Sequence, residues 1–159
     1  MGPDGSPYVQ PEQLVQYGPA ATLSLATAAQ QLQACLDASE EADSYMRSRI
    51  ALPLMTWGND ITRYTGYIAW YLLMGTIGWA PQAGSDSNIT TNYYRAVGWP
   101  DRPGTGWFPG IQRQNITPDW TPSIPVGADP GHDAPQVRSN QPRGWQQFAQ
   151  NGRPVIGGF

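Results

Sequence analysis

With 159 residues, this chain has room for one domain, or for one small domain and an appendage. Its charged residues are nine arginines, no lysine and twelve acids, a net charge of −3. That is the wrong balance for a protein that neutralises DNA phosphates with clustered cations. A single cysteine, Cys35, excludes an intrachain disulfide and a cysteine metal cluster.

Met1 to Gln10 has neither a basic region nor an apolar run, so no signal peptide is expected there. Tyr8 to Gly18 reads as a short helix: Pro11 suits its first turn, Leu14, Val15 and Tyr17 give an apolar side, and Gly18-Pro19 stops it. Thr27 or Ser24 caps a second helix over Ala28 to Ala51. Its apolar positions, Leu32, Cys35, Leu36, Ser39, Ala42, Met46 and Ile50, recur every three or four residues. The opposite face carries Asp37, Glu40, Glu41 and Ser44. Leu52-Pro53-Leu54 ends this helix, because the residue before proline avoids the helical region. Cys35, flanked by Leu32 and Leu36, reads as a small buried hydrophobe.

Asn59 or Asp60 caps a third helix to about Ile77, with Ile61, Tyr64, Ile68, Leu72 and Thr76 on one face. Tyr64 to Ala80 is apolar for 17 residues. That is short of the roughly 20 residues a membrane span needs, and it contains three glycines, so a buried core helix is expected. A fourth short helix covers Ile89 to Val97, capped by Ser87 or Asn88. After Trp99 no period of either kind is visible, apart from one or two helical turns at Trp145 to Gln150.

The chain changes character near residue 80. Residues 81–159 hold 11 of the 16 prolines, 11 of the 18 glycines, 4 of the 7 tryptophans and all three phenylalanines. Proline removes a donor and fixes φ, and glycine raises the entropic cost of order, so regular helix or sheet is disfavoured here. The segment is nonetheless too aromatic and too weakly charged for an ordinary solvated tail. We therefore expect an all-α fold: a bundle of about four helices in residues 1–108, followed by an extended Pro/Gly/Trp-rich arm over residues 109–159. Fully extended, such an arm reaches on the order of 160 Å.

The stretch Ala34 to Leu54, ACLDASEEADSYMRSRIALPL, resembles the phage head-completion proteins of the Mu-like family, a branch of the head–tail connector (adaptor) proteins. The matching residues are Leu36, Asp37, Ala38, Ser39, Glu41, Asp43, Tyr45, Arg49, Leu52, Pro53 and Leu54. Upstream, Tyr8, Glu12, Leu14, Tyr17 and Gly18 follow the family's opening in order, one residue short between Leu14 and Tyr17. Downstream, Asp60 to Tyr64 is similar to its third-helix start, and Tyr93 to Trp99 to its fourth helix. The resemblance covers about residues 8–108. It implies a small helical fold and a ring of subunits, usually twelve, docked beneath the portal. Such a ring extends the DNA channel and offers a platform to the next neck or tail protein. Residues 109–159 have no counterpart in the short family members.

Physical reasoning bears on the same reading. A channel through which DNA slides should not hold phosphates, and like charge keeps the duplex off the wall. Asp37, Glu40, Glu41 and Asp43 are candidates for such a lumen. Trp107, Phe108, Trp120, Arg143, Trp145, Phe148 and Phe159 are candidates for gripping protein neighbours, being the residue types that dominate interface energetics. The expected partners are the portal protein, neck, tail-terminator or tail proteins, and further copies of the chain. DNA would pass without specific binding, and no membrane is involved. No cofactor or catalytic site is expected. His132 is the only histidine, with no second histidine or cysteine to build a transition-metal site. Gly104-Thr105-Gly106 lacks the strand and basic residue of a phosphate loop. Two other classes compete with the connector: a cell-wall or glycan-binding module using exposed tryptophans, and a small membrane-associated protein using Tyr64 to Ala80.

Overall fold

Thr27 opens the central helix of the fold. Its side chain accepts a hydrogen bond from the Gln30 backbone N–H at 3.2 Å, and the Gln30 side chain accepts one from the Thr27 N–H at 2.8 Å. This reciprocal box satisfies two donors that a helix start would otherwise leave unpaired. The structure, a computed structural model, describes residues 1–78 and 85–122. They lie within one unit, Met1–Ile124; a second, Pro125–Phe159, is outside the described residues. In chain order come a 3-10 helix, Pro11–Gln16, and α1, Ala20–Leu23. Then follow α2, Ala28–Met46; β1, Leu54–Trp57; α3, Asn59–Ile77; and α4, Ser85–Val97. The last are α5, Trp107–Gln112, and β2, Trp120–Pro122. The described chain is mostly helical, as expected.

The core is the seam between α2 and α3, closed by α4 and α5 on their flanks. From α2 the buried side chains are Ala34, Cys35, Ala38, Ser39, Ala42, Asp43 and Met46. Apart from Met46 this is a stripe of small residues, which lets α3, with Ile61, Ile68, Leu73 and Met74 among its buried side chains, approach closely. The expected apolar face of α2 is therefore rotated. Leu32 is 44% exposed and Leu36 only half-buried, because alanines rather than leucines fill the seam.

One glycine of α3 has a local cause. A Cβ on Gly66 would lie 2.5 Å from Cδ2 of Tyr17, so the glycine lets the N-terminal segment lie against the helix. Trp70 lies close by, with its indole against Gly18 and its Nε1–H donated to the Leu14 carbonyl at 2.6 Å. Tyr64 to Ile77 is thus a core helix, and no helix among the described residues is long and apolar enough to cross a membrane.

Several boundaries differ from expectation. The first helix is a 3-10 helix, and α1 follows it as a separate short turn. The second helix ends at Met46 and not at Ala51; the chain leaves it through a turn in which Arg49 N–H and Ile50 N–H both donate to the Met46 carbonyl. Leu54–Trp57 then forms a strand that was not expected. It pairs antiparallel with β2, Thr56 facing Thr121 and Trp57 facing Trp120, and Gly58 N–H donates to the Asp119 carbonyl at 2.8 Å. α4 begins four residues before the expected Ile89. The expected boundary at residue 108 falls inside α5, whose Phe108 and Ile111 are core residues. The rest of the expected arm, and the turns expected at Trp145 to Gln150, lie outside the described residues.

Candidate interaction surface

The sequence up to Gln10 is not idle: it forms a clamp across α2. Tyr8 is buried, and its hydroxyl donates to the Asp43 carboxylate. The other Asp43 oxygen pairs with the Met1 ammonium at 2.7 Å. Tyr8 N–H donates to Ser39 Oγ at 2.9 Å, and Ser39 Oγ–H donates to the Cys35 carbonyl at 2.7 Å. Trp57 Nε1–H donates to the Tyr8 carbonyl, and the two rings meet edge to face. Burial, with the neighbouring carboxylate second, raises the Tyr8 phenol well above its ordinary range, so it acts only as a donor to Asp43.

This clamp separates the four acids proposed for a lumen. Asp43 is buried and engaged by Tyr8 and Met1, so it is an internal strut and presents no surface charge. Helical spacing explains the split: Asp43 stands four residues after Ser39, on the core stripe. Glu41 is half-buried and accepts a 3.3 Å hydrogen bond from the Tyr93 hydroxyl. Burial raises its carboxyl above the ordinary value, more than the Tyr93 bond lowers it. Asp37 and Glu40 are exposed. Asp37 accepts from the Gln33 side chain at 2.6 Å.

The aromatic candidates within the described residues are spent largely on the fold itself. Phe108 is fully buried, stacked on Tyr45 at 5.9 Å. Trp107 is half-buried, with its ring on Tyr64 at 4.6 Å and 15°. Trp120 is half-buried in the β-ribbon. Arg143, Trp145, Phe148 and Phe159 lie outside the described residues, as does His132. Among the described residues no group of three or more metal-ligating side chains converges.

Among the described residues a cleft of about 360 Å³ opens on the side of α4 and the loop after it. It is lined by the stacked Tyr64 and Trp107, by Arg95, Trp99, Arg102 and Thr105, and by Gly106 and Ile116. The loop from Gly98 to Gly106 is held by backbone geometry. Gly98 turns out of the helix at φ +102°, and Gly106 returns so close that a Cβ there would sit 2.2 Å from the Gly98 nitrogen. Thr105 Oγ accepts from Trp99 N–H and donates to the Arg102 carbonyl, tying the two ends of the loop. The arginines keep most of their donors. Arg102 meets Asp101 only at 3.7 Å in open solvent, a pair worth little. Arg95 donates to Asn92 Oδ1 at 3.2 Å. Trp99 is 39% exposed, its ring tilted against Tyr94. The sequence reading overlooked Arg95, Trp99 and Arg102; their spacing at the end of a helix, followed by Pro, Gly and Thr, was the available signal.

A protein-family model described as Bacteriophage Mu, Gp36 matches residues 8–102, more than half of the chain. No curated protein and no solved structure matches it.

Proposed function

Because the chain belongs to the bacteriophage Mu Gp36 family, and so is a phage protein, we propose that it is a structural component of the virion, a head–tail connector (adaptor) subunit. In this reading its copies form a ring, twelve-fold, beneath the portal, extend the DNA channel and receive the neck or tail protein. The observation that carries the reading is the extent of the family match. Residues 8–102 take in the 3-10 helix and α1 to α4, the greater part of the helical body.

The chemistry of the chain supports it. A net charge of −3 without lysine suits a wall past which DNA moves unheld. The reading assigns the chain no reaction, cofactor or membrane contact, and gives residues 125–159 the task of gripping neighbouring proteins. The test is a phage with the gene deleted. Filled heads and free tails that fail to join, rescued by the gene in trans, are expected. Infectious, tailed particles lacking the protein would overturn the assignment.

A further inference from the structure

Two exposed surfaces of this chain match one another in chemistry. The lining of the cleft brings together Trp99, Arg95 and Arg102, and the partners of the two arginines, Asn92 and Asp101, are themselves at the surface. The outer face of α2 carries Leu32 and, about one to two turns further on, Asp37 and Glu40, all three exposed. Within α2 these three positions fall in an arc of roughly 140° at 3.6 residues per turn. Leu32 is 44% and Trp99 39% exposed, two of the few large apolar side chains that the fold leaves in solvent. Each surface thus pairs an uncovered apolar group with charges of one sign, and the signs are opposite.

We infer that the cleft receives the outer face of α2 from a second copy of the chain. Leu32 packs against Trp99 and the Tyr64–Trp107 stack, while Asp37 and Glu40 meet Arg95 and Arg102. Arginine suits this role, since its planar fork binds a carboxylate through two parallel hydrogen bonds. Other charges near the contact do not reverse the match. Asp101 lies beside Arg102 at 3.7 Å, and the Met1 ammonium, paired to Asp43, is the cation near Glu40. The inference rests on the multi-subunit reading above and deepens it. It puts Asp37 and Glu40 at a seam between copies, not on a channel wall.

The experiment uses the full chain and charge reversal, with oligomeric mass read by sedimentation velocity at low and high salt. One variant carries Arg95→Glu and Arg102→Glu, a second carries Asp37→Arg and Glu40→Arg, and a third carries all four. All four positions are exposed, and circular dichroism verifies that each variant folds. The wild type is expected to assemble, less so at high salt. Each double variant should assemble about a hundredfold more weakly, because like charges now face one another. An equimolar mixture of the two, and the fourfold variant, should recover assembly. A wild type that stays monomeric, double variants that assemble like the wild type, or a mixture that fails to recover would each overturn the inference. The ring reading is separable. Recovery that stops at dimers keeps this contact and removes the ring, whereas rings unaffected by charge reversal keep the ring and remove this contact.

Discussion

The Tyr8 hydroxyl donates a hydrogen bond to the Asp43 carboxylate across 35 positions of sequence, in the interior of the fold. A hydrogen bond to a charged group contributes about 1.5–3 kcal/mol, and a buried group left without its partner costs a similar amount. Tyr8→Phe should therefore lower stability by about 1.5–3 kcal/mol in urea unfolding at pH 7. Asp43→Ala should cost at least as much, because it strands the Tyr8 hydroxyl and the Met1 ammonium together. The double variant should lose less than the sum of the two. Strict additivity would mean that the two side chains do not act as a pair.

Which parts of this architecture were legible in the chain follows from how local their causes are. The Thr27 cap and the apolar run of α3 act within a few residues, and both are found in the structure, whereas the helix expected to run to the Leu52-Pro53 stop already ends at Met46. The Tyr8–Asp43 bond could not be read, since neither residue signals the other. The β-ribbon was missed because strands of four and three residues carry too little alternation to register. The three/four spacing placed Leu32 on the core face with Cys35, Ser39, Ala42 and Met46, yet the seam needs small residues, so Ala34 and Ala38 are buried and Leu32 is left outside. Trp107 and Phe108 were expected to grip protein neighbours, but their rings pack on Tyr64 and Tyr45 of the same chain, and aromaticity alone does not tell an inward from an outward contact.

Two glycines of α3 should respond oppositely to alanine. At Gly66 the new methyl would lie 2.5 Å from the Tyr17 ring, whereas at Gly75 it would meet nothing within 4 Å. Helix propensity favours alanine by about 1 kcal/mol at both positions. Gly75→Ala should accordingly raise stability by about 0.5–1 kcal/mol. Gly66→Ala should lower it by about 1–3 kcal/mol, because the crowded ring must move. Equal melting-temperature shifts for the two variants would contradict the packing of Tyr17 on α3.

Glu41 should make the protein less stable as pH rises. Its folded carboxyl is raised above the ordinary 4.5, chiefly by burial and against the opposing Tyr93 bond. The native state therefore binds this proton more tightly than the unfolded state does. The favourable contribution is complete below about 4.5 and is lost as pH climbs through the raised folded value. At neutral pH burial of the charge is a net cost. Glu41→Gln keeps an acceptor for Tyr93 and removes the titration. It should be as stable as the wild type or more so at pH 7, and lose that advantage near pH 4. Chemical denaturation at the two pH values measures the crossover.

Cys35 should behave as a core residue and not as a reactive thiol. Burial, with Glu12 a lesser contributor, pushes its thiol up to about 12, and the side chain is fully buried. Modification by a thiol reagent requires both opening of the fold and ionisation. The native protein should react on the order of a hundredfold or more slowly than the protein in denaturant. Because the unfolded thiol ionises near its ordinary 9, the group also removes stability as pH rises from about 9 towards 12. Cys35→Ala should flatten that alkaline decline, which thermal melts at pH 8 and pH 10 would record.

The folded body should tolerate loss of residues 125–159 but not of residues 109–159. The longer truncation removes Ile111 from the core and the Gln112 carbonyl that accepts from Arg49 at 2.7 Å. It also removes the Asp119 carbonyl that receives Gly58 N–H, and the whole of β2 with its pairing to β1. Burial of one such isoleucine alone is worth about 2–5 kcal/mol. The protein ending at Ile124 should keep the helical circular dichroism and cooperative unfolding of the full chain. The one ending at Phe108 should lose at least about 3 kcal/mol, or fail to fold. Two truncations of equal stability would mean that α5 and the ribbon add nothing to the body.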